Sequence, residues 1–225
     1  MKNDSILNPT FSVWRRLQQG QEKIHRFGQH LANPETGHLL RLQNGHEHCC
    51  SVGFLARYYL IKIRQYIGLD EALIMNCFRI HDIPEGILLI DVAAHLKVDN
   101  DDLNEYLAFE KLMKPLGADV WAEEQRAFLL QFCLSNPTCF PTDARIVMSK
   151  LLKSHGLEAL FFDGLQRFDY LYYAYEALIE KEVPSVLAQV AFHQIPHLDR
   201  VASKLPGFHE AVWTDEKRAF FKKFC

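Results

Sequence analysis

No stretch of this 225-residue chain approaches about 18 uninterrupted apolar residues, so no membrane-spanning helix is expected. The opening MKNDSILNPTFSVWRRL lacks an unbroken apolar core after a basic start, so it does not read as a signal peptide. No run of Lys or Arg and no acidic tail occurs, and the formal net charge is only −3. That argues against an electrostatic footprint for nucleic acid, whereas a small anionic substrate needs no more than a local cation. None of the 6 cysteines forms a C-x-x-C pair. Cys49 and Cys50 are direct neighbours, a poor geometry for a disulfide, so reduced thiols in a cytoplasmic protein are expected. Internal repeats, low-complexity segments and an evident linker are missing too. With 48% apolar residues the chain can build one substantial core, and a single domain over 1–225 is the economical reading.

What is present reads as helix almost throughout. Apolar residues recur at spacings of three and four rather than two. Ser12 caps a first expected helix reaching about residue 31, broken by Asn33-Pro34 and Thr36-Gly37. A second begins near His46 and continues to about Ile67, with His48, Val52, Leu55, Tyr59 and Ile63 inward and Gly68 as its stop. Asp70 starts a third, EALIMNCFRIHD, whose Ile74, Cys77, Phe78 and His81 share a face. Amphipathic segments follow near 101–114 and 119–134, then the loop SNPTCFPT. Asp143 caps a helix through Lys153 that His155-Gly156 ends. A long helix runs to about Glu182, and short helices near 184–192, 196–204 and 215–224 finish an all-α chain.

The sharpest local feature is FRIHDIPEGILLID. His81 and Asp82 end an apolar helix, and adjacent side chains there lie about 100° apart, so both can reach one ion beside the helix. Neutral imidazole nitrogen with carboxylate oxygen suits Mn, Fe, Co, Zn or Mg better than soft metals. A lone His-Asp pair also occurs by chance, with Asp orienting the ring or capping the turn at Pro84. His48, in GHEHCC, strengthens the metal reading. The short Gly68-Leu69 turn makes the two helices antiparallel, so His48 at the start of one meets His81-Asp82 at the end of the other. His46 is turned about 200° from His48 on a helix, toward solvent or substrate. Asp169, in FDYLYYAYEAL, borders an apolar face and needs a partner, either a cation or a nearby Arg or Lys. Asp163 is its rival, although it lies where a cap is common.

In order and wording, His48 … His81-Asp82 … Asp169 resembles the HD superfamily of metal-dependent phosphohydrolases. GHEHCCSVGFLARYY resembles the first-histidine helix, HDIPEGILLID the HD-x-x-E segment of the 5′-deoxynucleotidase branch, and FDYLYYAYEAL the final-aspartate helix. PHLDRVASKLPGF also resembles that group, so the likeness spans roughly 37–205 as the core of an HD-type bundle with peripheral helices. The resemblance implies one divalent metal held by His48, His81, Asp82 and Asp169. It implies Glu85 as general base or positioner of the attacking water, Asp91 as a second catalytic residue near the substrate or helping with proton transfer, and Arg41 on the phosphate, with His46 on the substrate side. Asp91 falls one residue later than the branch usually has it, and a shift of one helical turn would put Gln166 in the place of Asp169.

The implied activity is hydrolysis of a (deoxy)nucleoside 5′-monophosphate to nucleoside and phosphate. Other HD classes, acting on nucleoside triphosphates, cyclic nucleotides or alarmones, remain alternatives. So does a two-metal oxygenase with His95 or His155 as extra ligands, and a non-catalytic metal-binding HD module. The expected partners are a small nucleotide and, by default, a second copy of the chain, with no nucleic acid and no membrane. The cluster Tyr170, Tyr172, Tyr173 and Tyr175 reads as core or subunit contact before it reads as a base-stacking surface.

Overall fold

The computed structural model describes residues 18–23, 44–88, 97–179 and 184–225, and among them every regular element is helical. The α-helices described from residue 45 onward are α1 (Gly45–Ile63), α2 (Glu71–Ile80), α3 (Ile83–Leu88), α4 (Asp99–Met113), α5 (Ala118–Leu130), α6 (Thr142–Ile179), α7 (Pro184–Lys204), α8 (Phe208–Ala211) and α9 (Asp215–Lys222). Residues 18–21 are also helical; the rest of the helix expected from Ser12 lies outside the described residues. No helix among the described residues is long and apolar enough to cross a membrane.

α1 and α2 are antiparallel, as two contacts at opposite ends demonstrate. Arg64 at the end of α1 pairs with Glu71 at the start of α2, Nη2 to Oε1 2.7 Å. His48 in the first turn of α1 lies beside His81 just after α2, Nε2 to Nε2 3.3 Å. Val52, Ala56, Ile63, Ile74, Cys77 and Phe78 fill the seam between them and are essentially inaccessible to water. Leu55, expected inside, is only half-buried, and Ala56 takes the inner position instead. A second part of the core joins α4 to α5, where the rings of Phe109 and Phe128 stack at 4.1 Å.

α6 spans 38 residues and packs against α1, α2, α5 and α7. His155-Gly156 does interrupt it, but as a break at one residue (His155 φ −137°, ψ 31°) after which the helix resumes, so the expected stop is a kink. Asp143 falls inside the first turn, where its carboxylate faces the helix N-terminal dipole. The two short helices expected near 184–192 and 196–204 are one, α7, with Pro196 in its interior. Pro196 removes one backbone donor, and a helix whose apolar face is packed along its length tolerates that. α7 lies along α6, and Gly164 makes this approach close. A Cβ there would sit 2.6 Å from Phe208 Cζ and 2.8 Å from Val201 Cγ1. At the other side of the molecule the 18–23 segment crosses α3, where a Cβ on Gly86 would lie 2.7 Å from the Gln21 amide nitrogen.

Candidate metal centre

The site begins with a helix cap. Asn44 Oδ1 accepts from the Glu47 amide at 2.8 Å, and Glu47 Oε2 accepts from the Asn44 amide at 3.1 Å. This reciprocal box fixes the first turn of α1 and so the ring of His48, which is completely buried. His81 is the residue after α2, Asp82 follows in the turn, and Ile83-Pro84 restart the chain as α3. Pro84 fits because an early helical position needs no donor. The break therefore turns His81 and Asp82 together toward α1.

The hydrogen bonds settle which nitrogen of each ring faces inward. His81 Nδ1 donates to the Phe78 carbonyl at 2.9 Å. His48 Nδ1 lies 2.9 Å from Asp169 Oδ2, and Asp169 Oδ1 accepts from Ser51 Oγ at 3.1 Å. With both Nδ1 atoms engaged on oxygens, the two Nε2 atoms are the ones that converge, and in the neutral ring with Nδ1 protonated each offers a lone pair there. Asp82 Oδ1 is 3.1 Å from His81 Nε2, and its Oδ2 is 3.6 Å from His48 Nε2. One ligand atom from each of His48, His81 and Asp82 lies within 4.8 Å of the others, and all three residues are buried. Two imidazole nitrogens and a carboxylate brought to one buried spot are a donor set that fits a divalent metal ion.

Gln166 completes the arrangement. Its Oε1 lies 3.0 Å from His48 Nε2, and its Nε2 makes a short contact with His81 Nε2. Thus α6 places Gln166 on the inward face of both imidazoles. One turn later it places Asp169, 2% exposed, against the Nδ1 side of His48. Both register alternatives raised by the sequence are therefore at the site, on opposite edges of one histidine ring. Asp163 is elsewhere, bonded to Arg167 Nε at 2.8 Å and facing Arg200 at 3.8 Å. His155, the extra ligand that a two-metal site would use, is half-buried. It is tucked between Arg126 and Glu158 at the α6 kink, away from the cluster, because the kink turns it inward.

Glu85 is buried in the first turn of α3. Beside it stands a residue that sequence reasoning passed over. Lys97 Nζ is 2.6 Å from Glu105 Oε1 and 3.9 Å from Glu85 Oε1. Burial opposes the charge of Lys97, but the carboxylates of Glu105 and Glu85 outweigh it and hold its pKa above the usual lysine range. Burial also raises the Glu105 pKa, against the lowering effect of Lys97. Nothing in HLKVDN marks Lys97 locally; it matters only because α4 brings Glu105 to it.

His46 is half-buried and turned from the cluster, with Nε2 3.4 Å from Gln18 Nε2 and 3.8 Å from Cys50 Sγ. Arg41, Asp91 and His95 lie outside the described residues. Comparison of the chain with protein-family profiles, with curated proteins and with solved structures finds no match.

Proposed function

We propose that this chain is an HD-type metal-dependent phosphohydrolase that cleaves (deoxy)nucleoside 5′-monophosphates to nucleoside and phosphate. One observation carries the reading: His48 Nε2, His81 Nε2 and the Asp82 carboxylate converge at one buried spot while both Nδ1 atoms are engaged elsewhere. This is how protein ligands are oriented toward a metal, and the residues follow the order of the superfamily that the sequence resembles. His48, His81 and Asp82 would hold the ion, with Asp169 and Ser51 keeping the His48 ring in register and Gln166 at its inward edge. A divalent ion bound there makes water a better nucleophile at neutral pH and neutralises phosphate charge.

The remaining work falls to the chain. Glu85, three residues after Asp82, accepts the proton of the attacking water. Lys97 stands beside Glu85, its Nζ 3.9 Å from the Glu85 carboxylate. The water oxygen bonds to phosphorus, the bond from phosphorus to the 5′ oxygen breaks, and that oxygen takes up the proton. Monophosphate specificity and the preference for a deoxy sugar rest on the resemblance, as does the assignment of Arg41 to the phosphate.

The test is phosphate release from a panel of ribo- and deoxynucleotides with Mn, Co or Mg added, for wild type beside Asp82→Ala. Release from monophosphates by wild type alone is the expected outcome. Metal retention without release from any nucleotide would remove the nucleotidase reading. The Gln166 amide lying against both imidazoles favours a second reading, a closed polar junction that only ties α1, α2 and α6 together. On that reading wild type binds no stoichiometric metal and releases no phosphate from any nucleotide.

A further inference from the structure

A cavity of about 530 Å³ opens between α6 and α9, and it shares no residue with the His/Asp cluster. Its walls are mainly rings: Phe168, Tyr172 and Tyr175 from α6, with Phe220 from α9. Phe168 and Tyr172 stack at 6.2 Å, and Tyr175 stands edge-on to Phe220 at 5.1 Å. The volume lies in the range of small-molecule sites.

Two cations border these rings. Lys217 Nζ donates to the Val212 carbonyl at 2.7 Å and to the Tyr59 hydroxyl at 3.1 Å, and lies over the rings of Tyr59 and Phe168 at 5.0 and 5.1 Å. No carboxylate among the described residues lies within ion-pair distance of it, and its contacts are neutral oxygens and π faces. Lys223 Nζ lies 5.9 Å from the Phe220 ring centroid on the same cavity. Glu216, exposed, is the acidic member of the lining. Burial lowers the Lys217 pKa and Lys62 lowers it further, and together they outweigh the raising effect of Glu216.

We propose that this cavity binds a flat aromatic anion, its ring between Phe168, Tyr172, Tyr175 and Phe220 and its acidic group on Lys217. Ring-lined walls alone would accept a neutral or cationic aromatic equally well. The two lysines select against the cation, and the half-buried ammonium of Lys217 gives an anion an ion pair that no side chain now supplies. The site stands independently of the phosphohydrolase reading.

The experiment is a fluorescence titration of the full chain with anilinonaphthalene sulfonate, a flat aromatic anion, and with uncharged N-phenylnaphthylamine. Lys217→Met is expected to weaken the sulfonate at least about fivefold while leaving the neutral probe within about twofold, as loss of a partly desolvated ion pair requires. Tyr172→Ala, at a residue already 41% exposed, is expected to weaken both probes. If Lys217→Met fails to melt cooperatively, Lys217→Gln replaces it, since an amide can still donate to the Val212 carbonyl. The proposal is overturned if wild type does not bind the sulfonate, if folded Lys217 variants bind it as wild type does, or if both probes are lost equally.

Discussion

Lys97 shows how much one side chain can decide. It is 22% exposed and flanked by the buried carboxylates of Glu85 and Glu105. Removing it takes the cation from the buried Glu105 carboxylate 2.6 Å away, which costs more than the pair contributes. Lys97→Met is expected to destabilise the fold by roughly 3 kcal/mol in urea unfolding, the low end for a buried pair because the lysine keeps some solvent. The pH dependence has a definite sign. The folded-state pKa of Lys97 is raised, so its contribution is fully present below the unfolded value of about 10.4 and is lost as pH rises above it. Between pH 7 and about 11 the wild-type urea midpoint should fall by a component that Lys97→Met lacks. Parallel curves for the two proteins would show that the pair does not hold the lysine charged. At this scale the sequence was only partly legible. His81-Asp82 stands out because two ligand types are adjacent, whereas Lys97 and Glu105 are eight positions apart and meet only through the turn into α4.

At the scale of elements, α6 carries the heaviest constraint. Its kink, its packing on α7 and its presentation of Gln166 and Asp169 all belong to one helix. Gly164, within a turn of Gln166, lets Phe208 and Val201 come close. Gly164→Ala brings two opposed effects. Helix propensity favours alanine by about 1 kcal/mol. Against it, a methyl 2.6 Å from a completely buried phenyl ring forces a shift in a packed core, which costs about 1–3 kcal/mol. The clash wins, because Phe208 is held on every side and cannot swing away. A net loss of up to about 2 kcal/mol is expected, read as a lower thermal midpoint. A variant as stable as wild type would mean that α7 and α8 can slide on α6. The same helix explains why the sequence left its register open: Gln166 and Asp169 are one turn apart, and periodicity gives both an inward-leaning place.

At the scale of the whole molecule, burial sorts the six free cysteines. Cys50 and Cys225 are exposed, Cys49 and Cys139 are half-buried, and Cys77 and Cys133 are in the core. Burial pushes the Cys133 thiol up to about 12, and it raises Cys77 as well. Since the thiolate is the reactive form, access and ionisation act in the same direction. A chromogenic disulfide reagent should therefore modify Cys50 and Cys225 rapidly in the native protein, and Cys77 and Cys133 only in denaturant. Fast native modification of Cys77 would mean that the α1–α2 seam opens readily, and with it the His48–His81 contact that the seam supports.

Helix periodicity in the sequence determined the all-α class, and the tight turn at Gly68-Leu69 determined that α1 and α2 run antiparallel, so that His48 meets His81 and Asp82. These are local properties, set by side-chain spacing and turn length. Tertiary structure alone decided the rest. Whether His155-Gly156 ends a helix or kinks it depends on what packs across the break. Which edge of the His48 ring receives Asp169, and that Gln166 faces both imidazoles, depends on the rotation of α6 against α1. That rotation is set by contacts between residues more than a hundred positions apart, and no local pattern encodes it.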